Sequence, residues 1–117
     1  MTDLSKAVVF IFNSNGFGQT GEQPLKNKLA KTFLTLILQN QDYPRAICFY
    51  TDGVKLACEG SPVLEELAAL EAKGVHLILC QTCLEYFGLK DKVLVGIVGG
   101  MGDIIAAMMQ ADSVVTV

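Results

Sequence analysis

Charge is what this sequence has least of. Asp, Glu, Lys and Arg make up 18% of its 117 residues, against 51% apolar, and the mean hydropathy is +0.43. That balance excludes intrinsic disorder and collagen-like repeats, which need far less apolar matter. Neither sign clusters: nine Lys and Arg face twelve Asp and Glu, for a net charge of −3. Without a basic patch the chain lacks the footprint of a nucleic-acid or anionic-membrane binder. A long apolar run is also missing. Residues 93–111 come nearest, but Asp103 and the glycines at 96, 99, 100 and 102 interrupt them, and a membrane span wants roughly 20 mainly apolar residues. The hydropathy points instead to a sheet buried on both faces and to an apolar surface between subunits. Met1-Thr-Asp-Leu-Ser5 shows no basic segment leading into an apolar one, so a cytoplasmic address is expected.

Histidine occurs once, as His76, and no second CxxC or HxxxH accompanies the single CxxC. A structural zinc usually needs four ligands, so a zinc held by Cys58, Cys80 and Cys83 is the weaker reading, and neither a metal nor a cofactor is expected. No Gly-Lys-Ser/Thr follows either glycine-rich stretch, 15–18 or 99–102, so neither is a Walker loop. They read as tight turns.

What the sequence does have is alternation. The length fits one domain, 1–117. Residues 7–12 (AVVFIF) and 46–50 (AICFY) are short continuous apolar runs, expected as doubly buried strands. Further strands are expected at 75–79, 93–98 and 113–117. Between them, Leu25, Leu29, Phe33, Leu34, Ile37 and Leu38 recur at helical spacing after Pro24. Ser61-Pro62 opens a second helix that stops at Gly74. A short third helix is expected over 82–87 and a fourth over 103–110. Helical connections between buried strands imply parallel pairing with right-handed crossovers. The expected fold is an α/β three-layer sandwich: a five-stranded parallel sheet, order 2-1-3-4-5, with helices on both faces.

In such a sheet, ligands bind outside the carboxyl ends of the strands. Cys80 and Cys83 fall on that edge, and Cys58 lies in the loop after the second strand. Cys48, mid-strand, reads as an inert core residue. In a reducing compartment such cysteines are free, metal-bound or reactive rather than a disulfide framework. Cys80-Gln-Thr-Cys83 follows a strand and opens a helix, where unpaired N–H groups and the positive helix end favour a thiolate. Cys58 and Cys80 are expected to share a pocket under a lid made by residues 13–23.

The segments Gly53-Val-Lys-Leu-Ala-Cys-Glu-Gly-Ser61, Gly74-Val75 and Cys80-Gln-Thr-Cys-Leu-Glu-Tyr-Phe-Gly-Leu-Lys-Asp-Lys92 resemble the DsrE-like superfamily. The resemblance is to the C-terminal domain of YedF-like proteins, and it runs in order from about Ala7 to Val117. It implies an α/β sandwich, oligomeric assembly, and sulfur carried as a persulfide on a cysteine eight residues before a glycine, a spacing that Cys80 and Gly88 match. Many YedF-like chains carry a TusA-like domain ahead of this one. Here any such carrier is expected to be a separate protein. The fourth loop departs from the Ser-Asn-Met type, reading Gly99-Gly-Met-Gly-Asp103.

The expectation is therefore a sulfur-relay or persulfide-binding protein, sulfurtransferase-like, with sulfur on Cys80 and either Cys83 or Cys58 able to release it. It would exchange sulfur with donor and acceptor proteins and assemble as a homo-oligomer. Two other readings stand beside it: a non-catalytic oligomeric binding module with structural cysteines, and a dithiol redox protein using Cys80 and Cys83.

Overall fold

Val8–Phe12 forms the first strand, β1, because consecutive β-branched and aromatic side chains suit a pleated surface covered on both sides. Val9, Ile11 and Phe12 are fully buried there. The computed structural model describes residues 7–117, and the reading of Met1–Ser5 lies outside them. Helix α1, Gln23–Asn40, starts at Pro24, whose fixed backbone suits the first turn, and ends on Gln41 in the left-handed conformation. Strand β2, Ala46–Phe49, is buried at every residue.

Where a plain loop was expected after β2, Thr51–Ala57 winds into a 3-10 turn. Helix α2, Leu64–Ala72, carries Glu65 and Glu66 in its first turn, where they suit the positive helix end. Strand β3, His76–Cys80, runs directly into helix α3, Gln81–Tyr86. His76 is the first residue of β3 and solvent-exposed. Strand β4 is only Ile97–Gly99, shorter than the expected 93–98. The reason is Gly96, at φ +84, where a side chain would collide with Leu79 and Leu77. Before that kink, Val93 turns back to bridge Cys58 in antiparallel fashion. Helix α4, Met101–Gln110, and strand β5, Ser113–Thr116, complete the fold.

All strand pairs are parallel, but the order is β4-β3-β2-β1-β5, not the expected 2-1-3-4-5. The handedness rule fixes the side of each crossover, not the direction of each step, so both orders obey it. Composition decides between them. The expected order would leave β2 at an edge, yet Ala-Ile-Cys-Phe has no polar residue to meet water. The strands that occupy the edges are the three-residue β4 and the polar-flanked Ser-Val-Val-Thr of β5.

Phe10 and Phe12 turn toward α1, with Phe33 at 5.2 and 6.3 Å between ring centroids. Leu25 and Leu29, expected on the buried stripe of that helix, are exposed instead. Ile11, Cys48, Ile78 and Ile97 are register partners on the opposite face. Gly99 shares that face, and a side chain on it would meet Asp103 of α4 and Ile78. Helices α1 and α2 thus cover one face and α4 the other, giving the α/β three-layer sandwich.

Candidate functional site

Three connections in succession, β1 to β2 to β3 to β4, step one way across the sheet. The β4-to-β5 connection reverses through α4 on the other face. The chains leaving β3 and β4 therefore diverge, and the carboxyl ends of such diverging strands are where open α/β sheets place their sites. Cys80 is the last residue of β3 and pairs there with Gly99, the last of β4. It also occupies the N-cap of α3 in extended conformation, without a side-chain capping bond.

Cys83 lies one helical turn on, three residues away, a spacing that brings side chains together on a helix. The two thiols are near enough for Cys80 to strengthen the hold of Cys83 on its proton. Cys80 is 2% exposed, and Cys83 is only partly buried. From the turn after β2 comes a third member: the Thr51 backbone N–H donates to Cys83 Sγ at 3.1 Å. Burial pushes the Cys83 thiol up, the neighbouring Cys80 adds to that, and the Thr51 amide pulls the other way.

The structure separates the remaining cysteines from this pair by their bonding. Cys58 is buried, and its thiol donates to the Val54 carbonyl at 3.2 Å within the 3-10 turn. Burial pushes it up as well. Strands β2 and β3 are direct neighbours rather than separated by β1, but that adjacency gives Cys58 no bond to Cys80. Cys48 is sealed in the core, and burial pushes its thiol to about 11.

The expected lid is pinned elsewhere. The Phe17 N–H donates to the Lys26 carbonyl, and the Phe17 ring packs on Phe33 at 5.1 Å. Only Asn13, at the loop's start, reaches the site, through its carbonyl and the Thr51 hydroxyl at 2.6 Å. A cavity of about 200 Å³ between the loop and Gly60-Ser61-Pro62 contains no cysteine. Among the described residues no three His, Cys, Asp or Glu side chains gather as a metal cage. No helix among them is long and apolar enough to cross a membrane.

Thr51 was not identified from the sequence. Its one local signal is the Asp52-Gly53 pair beside it, a turn-forming dipeptide.

The fold has counterparts among known proteins. The DsrE/DsrF-like family model matches residues 6–117, and the chain belongs to that family. Comparison with curated proteins gave no match. Three solved structures share the fold. The ychN protein of E. coli superposes with a TM-score of 0.67 at 20% identity, covering 96% of this chain and 99% of its own. The protein of unknown function MTH1491 from Methanobacterium thermoautotrophicum gives 0.69 at 18%, with the same coverage. The conserved protein of unknown function BT1422 from Bacteroides thetaiotaomicron gives 0.69 at 16%, covering all of both chains.

Proposed function

We propose that this protein is a cytoplasmic sulfur relay that carries sulfur on Cys80 and releases it through Cys83. The observation that carries the reading is the placement of Cys80 and Cys83 one helical turn apart where β3 runs into α3, beside the end of β4. Membership of the DsrE/DsrF-like family supports it at the level of the family.

The chemistry balances with two thiols. The Cys80 thiolate attacks the outer sulfur of a donor persulfide, R–S–SH. A new S–S bond forms on Cys80, the donor's S–S bond breaks, and R–S⁻ leaves with the bonding electrons. Cys83, as thiolate, then attacks the inner sulfur of the Cys80 persulfide. Sulfide departs as HS⁻ and a Cys80–Cys83 disulfide remains. Two electrons from an external dithiol, which becomes a disulfide, reset the pair. Cys58 has no part in this scheme, because its thiol is committed to Val54.

Burial of Cys80 shields a loaded sulfur from water and oxidants. Access depends on α3, which is six residues long and has no side-chain cap. Such a helix opens at little cost. A protein donor fits better than a small molecule, and a TusA-like carrier is one candidate.

The test is intact-mass analysis after incubation with a low-molecular-weight persulfide. Wild type should gain the mass of one sulfur atom transiently. Cys83→Ser should hold it and Cys80→Ser should not take it up. An adduct that survives Cys80→Ser would overturn the assignment. A Cys80–Cys83 disulfide formed with no sulfur adduct at any time would favour the dithiol redox reading.

A further inference from the structure

The turn after β2 is held in an uncommon conformation. Thr51 has φ +47, one of two non-glycine residues with positive φ among the described residues. For a β-branched side chain that region is strained. The strain is enforced from three directions. The Thr51 hydroxyl lies 2.6 Å from the Asn13 carbonyl and 2.7 Å from that of Tyr50. The Tyr50 N–H donates to the Phe12 carbonyl. Gly53 packs its backbone so closely on that same carbonyl that any side chain there would overlap it. The product of this geometry is an N–H turned out of the sheet and aimed at Cys83 Sγ, 3.1 Å away.

We infer that Thr51 is a positioning residue for the dithiol: its clamped, left-handed backbone holds an amide donor on Cys83, which sets how readily that sulfur becomes a thiolate. The inference rests on the Cys80–Cys83 pair being the reactive site and adds the element that tunes it. An N–H donor on sulfur favours the charged form. It acts against burial, which holds the Cys83 proton on. Facing Cys83 are Thr51 and Asp52 from the 3-10 turn and Cys80 from β3. The Asp52 carboxylate is occupied by Lys55 at 2.7 Å. The Lys55 ammonium also sits over the Phe87 ring of the segment after α3, at 4.5 Å, and so ties the turn to the helix that carries Cys83. The Thr51 amide thus acts directly on the Cys83 sulfur, and Cys80 is its nearest titratable neighbour in the pair.

Three variants and one wild-type measurement test this. Iodoacetamide alkylation is followed from neutral to alkaline pH, with Cys80 and Cys83 read separately by peptide mass. Thr51→Val removes the hydroxyl tether and should slow Cys83 alkylation at neutral pH about tenfold, the equivalent of one pKa unit. Thr51→Ser keeps the hydroxyl and should retain the wild-type profile. A Thr51→Val profile that superposes on wild type, or a Thr51→Ser profile displaced as far as that of Val, overturns the inference. A loss of melting temperature alone would not, since a purely structural threonine would show that too. If Thr51→Val does not fold, the wild-type amide decides. Its NMR proton shift should titrate with the midpoint of Cys83 alkylation and stop doing so in Cys83→Ala. A Thr51 amide that ignores the titration overturns the inference in the unaltered protein. Failure of sulfur loading in wild type would strike the relay reading while leaving this titration intact.

Discussion

Cys80 and Gly99 are register partners at the ends of β3 and β4, the last pair before the chain parts to opposite faces of the sheet. Gly99 has Asp103 Oδ2 and Ile78 Cγ2 each 3.0 Å from where its Cβ would be. The residue beside the candidate sulfur carrier is thus hemmed in by α4. Gly99→Val should wedge α4 away from β4 and cost about 1–3 kcal/mol, the usual range for overpacking. A denaturant melt reads the stability. A variant as stable as wild type would show that α4 gives way freely.

The four thiols should divide sharply in native alkylation. Cys48 is fully buried and pushed to about 11, and Cys58 is bonded to Val54. Cys80 and Cys83 should label at neutral pH at least about tenfold faster than Cys48, given a thiolate scarce by roughly two further powers of ten there. Equal rates for Cys80 and Cys48 in site-resolved mass spectra would remove the case for a reactive pair.

Cys48 also predicts an alkaline limit. Its thiol rises from an ordinary 9.0 unfolded to about 11 folded. Below pH 9 both states keep the proton and the fold has its full stability. Between 9 and 11 the unfolded chain ionises first, so stability falls with rising pH, by at most about 3 kcal/mol. Cys48→Ala should flatten this part of the curve. A urea midpoint with the same slope from pH 9 to 11 in both proteins would assign the loss to other groups.

The Asp103 carboxylate accepts the Gly100 N–H at 2.9 Å and so closes the first turn of α4. Asp103→Ala should cost about 1 kcal/mol, as lost caps do. Thermal unfolding checks it, and an unchanged midpoint would mean that water serves the amide equally well.

Met101, Ile105 and Met109 are 52, 50 and 80% exposed, and their spacing of four residues sets them in one row on α4. We expect this row to be covered by another subunit. Light scattering at micromolar concentration should give a mass above the 12.6 kDa of one chain. Ile105→Glu with Met109→Glu should bring it down to that value. A wild-type mass near 12.6 kDa would sink the proposal.

The strands and helices were legible because their periods differ: unbroken apolar runs in β1 and β2, and a 3.6-residue rhythm in α1. The position of Cys80 at a strand-to-helix junction was legible for the same reason. Strand order was not, because pairing direction depends on which strands tolerate an edge, and that comparison spans the whole chain. The full burial of Ala46–Phe49 against the polar ends of β5 held the answer. Thr51 was out of reach on different grounds. Its propensity argues for extended structure, and only contacts with Asn13 and Phe12, distant in sequence, force the left-handed backbone. The burial of Cys58 was equally out of reach, because a loop cysteine near a sheet edge looks accessible in sequence, whereas the 3-10 winding folds it inward.

The sheet order also bears on how firmly each strand is held. β1 to β4 lie side by side in sequence order, each joined to the one before by a helical crossover. β5 breaks that succession. It docks beside β1, fastened by the Ala7 N–H to the Asp112 carboxylate across 105 positions. All four β5 residues are exposed, so little burial rewards its docking. β5 is therefore the strand of the sheet most readily lost from its neighbour. With β5 detached, the Val-Val-Phe-Ile-Phe edge of β1 would be a template for the β5 of a neighbouring molecule.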